Sequence, residues 1–161
     1  MPYLTGLIEH QNSRVRYEVV FGLSGFDDNI AVEALIKLSR DESFDVRNWA
    51  TFELGSLCDV DTKELRAALY ERISDSEYEL RGEALVGLAM RKGSNIQENL
   101  LKELEGEFNG IWAVEAAKIL ASQQYCEVLK ELRDRLIIEK EEERFLNDVS
   151  DAIASCCQNK T

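Results

Sequence analysis

One pattern recurs along this chain at a nearly constant interval, and it limits the fold more than any local propensity does. An apolar residue, an arginine, a small apolar residue and then a leucine followed by a small residue occur as "VRYEVVFGLS" from Val15, "VRNWATFELG" from Val46 and "LRGEALVGLA" from Leu80. A weaker copy, "WAVEAAKILA", begins at Trp112, and a trace, "FLNDVSDAIA", begins at Phe145. The second position of these copies is Arg16, Arg47, Arg81, Ala113 and Leu146, so successive copies lie 31, 34, 32 and 33 residues apart. A period of that length with no strand pattern between copies predicts helix pairs stacked as a solenoid.

Each copy reads as a helical hairpin. Four residues before the marked position stand Asn12, Ser43, Glu77 and Asn109, and six before it Asp41, Asp75 and Glu107, which suit helix caps and the turns that lead into them. Val46, Ala50, Leu54 and Leu57 fall on one helical stripe, with Leu80, Ala84 and Leu88 as counterparts in the third copy. Short polar or glycine-bearing turns follow, and then a second helix in each copy: "IAVEALIKLSR", "TKELRAALYERIS", "IQENLLKELEG" and "CEVLKELRDRLIIEK". The expected fold is all-α, a right-handed α-solenoid of about five such hairpins. It is read as a single domain over residues 1–161, with repeat cores at 12–40, 43–74, 76–106 and 108–139 and with 2–10 and 141–157 as caps. The acidic run "EKEEERFLNDVSD" fits such a cap, and a continuation of the preceding helix through it is the competing reading.

Nineteen Lys and Arg against 31 Asp and Glu give a formal charge of −12, which opposes a surface built to neutralise a phosphate backbone. It suits solubility, or a basic partner. The first residues, "MPYLTGLIEH", show no basic segment followed by a long apolar run, so a cytosolic protein is expected, with no membrane partner. The cysteines, Cys58, Cys126, Cys156 and Cys157, form no CxxC pair, and His10 is the one histidine. No zinc site is expected. In a reducing compartment these cysteines read as small core residues or, for the vicinal pair, tail residues, with a redox role as the minor alternative.

Catalytic constellations are missing from the sequence. One histidine cannot supply a Ser/His/Asp or Cys/His arrangement with a second candidate base, and no glycine loop has phosphate-cradling spacing. Asp27–Asp28 and Asp59–Asp61 lack the spacing of a calcium cage and read better as capping residues. No enzyme activity, cofactor or metal is expected.

The signature "DVRNWATFELGSL" followed by "ELRAALYERISDSEYELRGEALVGLAMR" resembles HEAT repeats, of the short bacterial type shared with phycobilin-lyase proteins. The resemblance implies a structural role for the recurring arginine: Arg16, Arg47 and Arg81 reach an acid and carbonyls of a neighbouring repeat, with Asp41, Asp45, Asp75 and Glu79 as candidate partners. Such a ladder would fix register between units whose apolar stripes alone could slide. "RNWA" with "RGEALVGLA" is similar to HEAT proteins encoded beside Rhs-type polymorphic toxins, which implies an immunity protein that binds its cognate toxin. A lyase-type accessory protein and a general adaptor are the alternatives.

Solenoids bind with the extended surface that stacking produces, usually that of the second helices and adjoining turns. The expected partner-binding residues are Asp27, Asp28, Glu33, Asp59, Asp61, Glu64, Tyr70, Glu71, Glu98 and Glu103, an acidic set suited to a basic protein and not to nucleic acid. Trp49 occupies the place that Glu18, Glu83, Glu115 and Asp148 hold in other copies. It is either an exposed anchor or a ring packed against Phe21 and Phe52.

Overall fold

The computed structural model describes residues 2–106 and 110–157, and all the regular structure among them is helical. Asn109 and Glu107, assigned above to the fourth cap and its turn, lie outside the described residues. The chain forms two compact units, Met1–Leu88 and Ala89–Thr161.

The first unit opens with α1 (Pro2–Thr5) and two complete hairpins, α2 (Ser13–Leu23) with α3 (Asn29–Leu38) and α4 (Phe44–Phe52) with α5 (Lys63–Arg72). α6 (Tyr78–Met90) follows, and its residues through Leu88 belong to this unit. The starts are local chemistry. Asn12 accepts from the Arg14 amide at 2.9 Å, Asp28 from the Ile30 and Ala31 amides at 3.0 and 3.1 Å, and Thr62 from the Leu65 amide at 3.2 Å. α2 ends through Gly25, whose φ of 75° is the left-handed conformation that glycine adopts without a steric penalty. α2 packs on α3 and α4, and α3 on α4 and α5. The stripes close a core in which Val20, Leu23, Val46, Ala50, Leu54, Leu65, Leu69, Leu80, Ala84 and Leu88 are fully buried.

One helix departs from the simple repeat. After Phe52 the chain continues as a π-helical turn, Glu53–Leu57, before Cys58 becomes extended. Leu57, expected on the buried stripe, is therefore turned outward and 50% exposed, because the wider turn breaks the i, i+4 phase that puts Val46, Ala50 and Leu54 inside. The same widening brings Gly55 against Gly87: a Cβ built on Gly87 would stand 2.5 Å from the Gly55 Cα. Glycine stands at Gly22 and Gly87 in the first and third copies, whereas the second copy holds Glu53 there and its glycine two residues later. The π turn re-phases the helix so that this displaced glycine still meets its neighbour.

The second unit contains α7 (Gln97–Glu105), α8 (Ile111–Leu120), α9 (Cys126–Glu139) and α10 (Glu143–Cys156), with a short 3-10 turn at Gln123–Tyr125 leading into α9. α7 packs on α8 and α9, and α10 on the same two helices. α9 stops at Lys140, which takes φ 59°, and α10 starts afresh at Glu143, so the acidic run does not extend α9. α10 presents Phe145, Val149, Ala152 and Cys156 on one side, all buried.

The cysteines depart from expectation. Cys126 and Cys157, read as core and tail residues, are joined by a disulfide across a sequence separation of 31. The antiparallel return of α10 is what brings them together, and no spacing motif announces it. Cys58 and Cys156 are buried.

Candidate protein-binding surface

The arginine ladder frames the surface, since it sets how successive hairpins of the first unit meet. Arg16, 6% exposed, forms a fork with Asp41: Nε to Oδ2 at 2.6 Å and Nη2 to Oδ1 at 2.7 Å. Its Nη1 donates to the His10 carbonyl at 2.7 Å. Arg47 repeats the arrangement, donating through Nη1 to the Asp41 carbonyl at 2.8 Å, with Nε 3.3 Å from Asp75 Oδ2 but out of line for a hydrogen bond. Arg81 donates to the carbonyls of Asp75 and Ser76 at 3.1 and 2.9 Å. Asp41 thus serves two repeats, its carboxylate taken by Arg16 and its carbonyl by Arg47, whereas the Asp75 carboxylate lies beside Arg47 but accepts from Arg72 Nη1 at 3.2 Å, and its carbonyl accepts from Arg81. Burial by itself pushes the Asp41 carboxyl up, but hydrogen bonds from Arg16 and the Ser43 amide outweigh it and hold the group below the usual aspartate range. Asp45 and Glu79, the other two candidate partners, occupy the first turns of α4 and α6 instead, where a carboxylate complements the helix dipole.

The acidic residues assigned to partner binding separate into two groups. Asp61 is gripped by Arg66 at 2.5 and 2.7 Å, and Glu71 by Arg40 at 2.7 and 2.8 Å. Arg40 also holds the Glu71 carboxyl below its ordinary range. Asp28 spends one oxygen on the cap of α3. These carboxylates already have partners inside the chain, and Asp61 and Glu71 remain partly exposed. The Arg40–Glu71 pair, spanning 31 residues, was not read from the sequence. No repeat position announces it, since the residue that matches Arg40 before the next turn aspartate is Ser74.

Glu33 and Glu64 differ. They are exposed on α3 and α5 and line one groove of about 200 Å³ with Asn29, Val32, Ile36 and Thr62. Neither carboxylate is ion-paired among the described residues. The groove has an apolar wall, Val32 and Ile36, and a rim of two like charges. Such a rim favours a cation. Asp27 and Asp59 are exposed in the turns before α3 and α5, and Tyr70 is half-buried on α5. Glu98 and Glu103 lie on α7 in the second unit.

Trp49 takes the packed alternative. Its ring centroid lies 5.0 Å from that of Phe21 and 5.6 Å from that of Phe52, and Tyr17 continues the stack at 4.9 Å from Phe21. These contacts join α2 to α4. Glu53 was not singled out in the sequence, although it is 4% exposed. Burial pushes its carboxyl up, opposed by a hydrogen bond from Ser24. The legible signal was a glutamate in a glycine position.

No helix of the described residues is long and apolar enough to cross a membrane, and no group of three or more His, Cys, Asp or Glu among them could hold a metal ion.

Comparison with known proteins agrees with this architecture. A family model described as HEAT repeats matches residues 1–89. Protein YibA of Escherichia coli strain K12 is 31% identical over 119 residues, which is 74% of this chain and 42% of YibA, and Protein YibA of E. coli O157:H7 matches equally. The chain therefore spans less than half the length of these curated relatives. The X-ray structure of E. coli YibA superposes with a TM-score of 0.71 at 24% identity, over 95% of this chain and 55% of that one. A designed armadillo repeat protein in complex with the peptide (KR)4 superposes with a TM-score of 0.60 at 20% identity, over 95% and 80% of the two chains. Helical hairpins at a fixed period, the arginine rungs between them and a family match across more than half the sequence together make this chain a member of the HEAT-repeat family.

Proposed function

We propose that this chain is a protein-binding module that captures a basic partner, in the manner of an immunity protein neutralising a cognate toxin. HEAT and armadillo-like repeats commonly mediate protein binding, and the designed armadillo protein above binds a peptide of lysine and arginine. The observation that carries the reading is the groove between α3 and α5, where Glu33 and Glu64 have no ion-pair partner among the described residues while Asp61 and Glu71 do. A lysine or arginine stem laid on Val32 and Ile36 would bring its head between the two carboxylates. The formal charge of −12 adds steering at a distance, so capture is fast and salt-sensitive.

The test is a search of the gene neighbourhood for a toxin and co-expression with it, read as host growth, together with binding measured at low and high salt. Rescue that is lost on Glu33→Lys/Glu64→Lys, with affinity falling steeply as salt rises, supports the reading. Full rescue by that variant, with affinity unchanged across salt, overturns it.

A further inference from the structure

We infer that the Cys126–Cys157 disulfide is a thiol–disulfide exchange site that takes a dithiol reductant and clasps the end of α10 onto the start of α9. This inference is independent of the binding reading and rests on the second unit alone.

Three of the four cysteines gather in one place. The Cα atoms of Cys126 and Cys157 are 5.3 Å apart. Cys156, 2% exposed, turns its thiol inward to donate to the Ala117 carbonyl at 3.3 Å. The adjacent residues on α10 therefore have opposite tasks: Cys156 is packing, and Cys157, half-buried at the helix end, is the linkage. Burial pushes the Cys156 thiol up and keeps it protonated, so it does not compete for the bond.

The geometry sets the direction of exchange. Cys126 is 7% exposed, and Cys157 is the more open sulfur. An external thiolate thus attacks Cys157 Sγ, forming a mixed disulfide there, and Cys126 leaves as the thiolate. Cys126 is the first residue of α9, a 14-residue helix, whose dipole places its positive end beside a departing anion. The second thiol of the reductant then displaces Cys157. The protein gains two electrons and two protons as two thiols, and the reductant leaves as its own disulfide. Phe145, Val149 and Ala152 still hold the body of α10, so opening is confined to its last turn, where Cys156 is the buried group that becomes reachable.

The experiment uses the full chain in three states: oxidised with glutathione disulfide, reduced with dithiothreitol, and as Cys126→Ser. Iodoacetamide labelling is followed by peptide mass, and amide exchange is followed across α10. The oxidised chain should show the 126–157 cross-link and no native labelling. In the reduced chain Cys157 should label first, and Cys156 labelling and exchange in the last turn of α10 should accelerate by about tenfold or more, as expected for local opening. Cys126→Ser should match the reduced state without reductant, with the buried thiol of Cys58 still protected as the check that the first unit remains folded. If Cys58 labels in that variant, the reduced wild-type chain decides. Failure to form the cross-link, a cross-link through Cys156, or equal Cys156 labelling in oxidised and reduced protein would each overturn the inference.

Discussion

Replacing Gly87 by alanine tests whether the helices of the first unit are held by close backbone approach. The added Cβ would lie 2.5 Å from the Gly55 Cα and 3.0 Å from Leu69 Cδ1. Ordinary carbon contact is about 3.5–4.0 Å, so the two backbones would have to part by roughly 1 Å. Neither can yield as a side-chain tip would, because each atom belongs to a helix fixed by buried Leu54, Leu69 and Leu88. Overpacking of this kind costs about 1–3 kcal/mol, whereas alanine in mid-helix recovers up to about 1 kcal/mol relative to glycine. The net expectation is a loss of about 1–2 kcal/mol. Gly22→Ala is the internal control, since the nearest atoms to its Cβ would be those of the Leu4 side chain, at 3.1 and 3.2 Å. There the propensity gain should prevail, leaving stability unchanged or raised by up to about 1 kcal/mol. Urea unfolding followed by far-UV circular dichroism reads both through the midpoint at constant slope. A Gly87→Ala chain as stable as the parent, or one no less stable than Gly22→Ala, would refute the reasoning.

Three further expectations follow from buried charge. Arg16→Met alone or Asp41→Asn alone should destabilise by about 3–5 kcal/mol, because each strands a buried partner, whereas the double variant should lose less than the sum; a double-mutant cycle in urea checks this. The depressed Asp41 carboxyl contributes stability that is present above the ordinary aspartate pKa and lost as pH falls through its folded value, so the acid limb of a pH–stability curve should flatten in Asp41→Asn. The raised Glu53 carboxyl has the opposite sign: its contribution is complete below the ordinary glutamate pKa and is lost as pH rises through the folded value. Glu53→Gln should therefore raise the thermal midpoint at neutral pH and leave it almost unchanged in acid, and an equal gain at both would show that burial of the charge is not the cause.

What could be read from residues alone was what neighbours in sequence decide. The period marked by Arg16, Arg47 and Arg81, the caps at Asn12 and Asp28, and the stripes through Leu65 and Leu69 each depend on a few consecutive residues, because a helix closes its hydrogen bonds within one turn, although Ser43, also read as a cap, makes no side-chain bond to its helix. The resemblance to HEAT repeats rests on the signature around Arg47 and Arg81, and the family match over residues 1–89 agrees with it. Tertiary structure alone decided which carboxylates are consumed. Glu71 and Glu64 stand on the same helix with the same chemistry, yet Arg40 reaches one of them, and the other is left on the groove with Glu33. The π turn that exposes Leu57 and seats Gly55 on Gly87, and the return of α10 that joins Cys126 to Cys157, likewise depend on contacts between segments about 30 residues apart. Side-chain pattern sets each helix, but whether a charge is spent or available is settled only when the next repeat packs beside it.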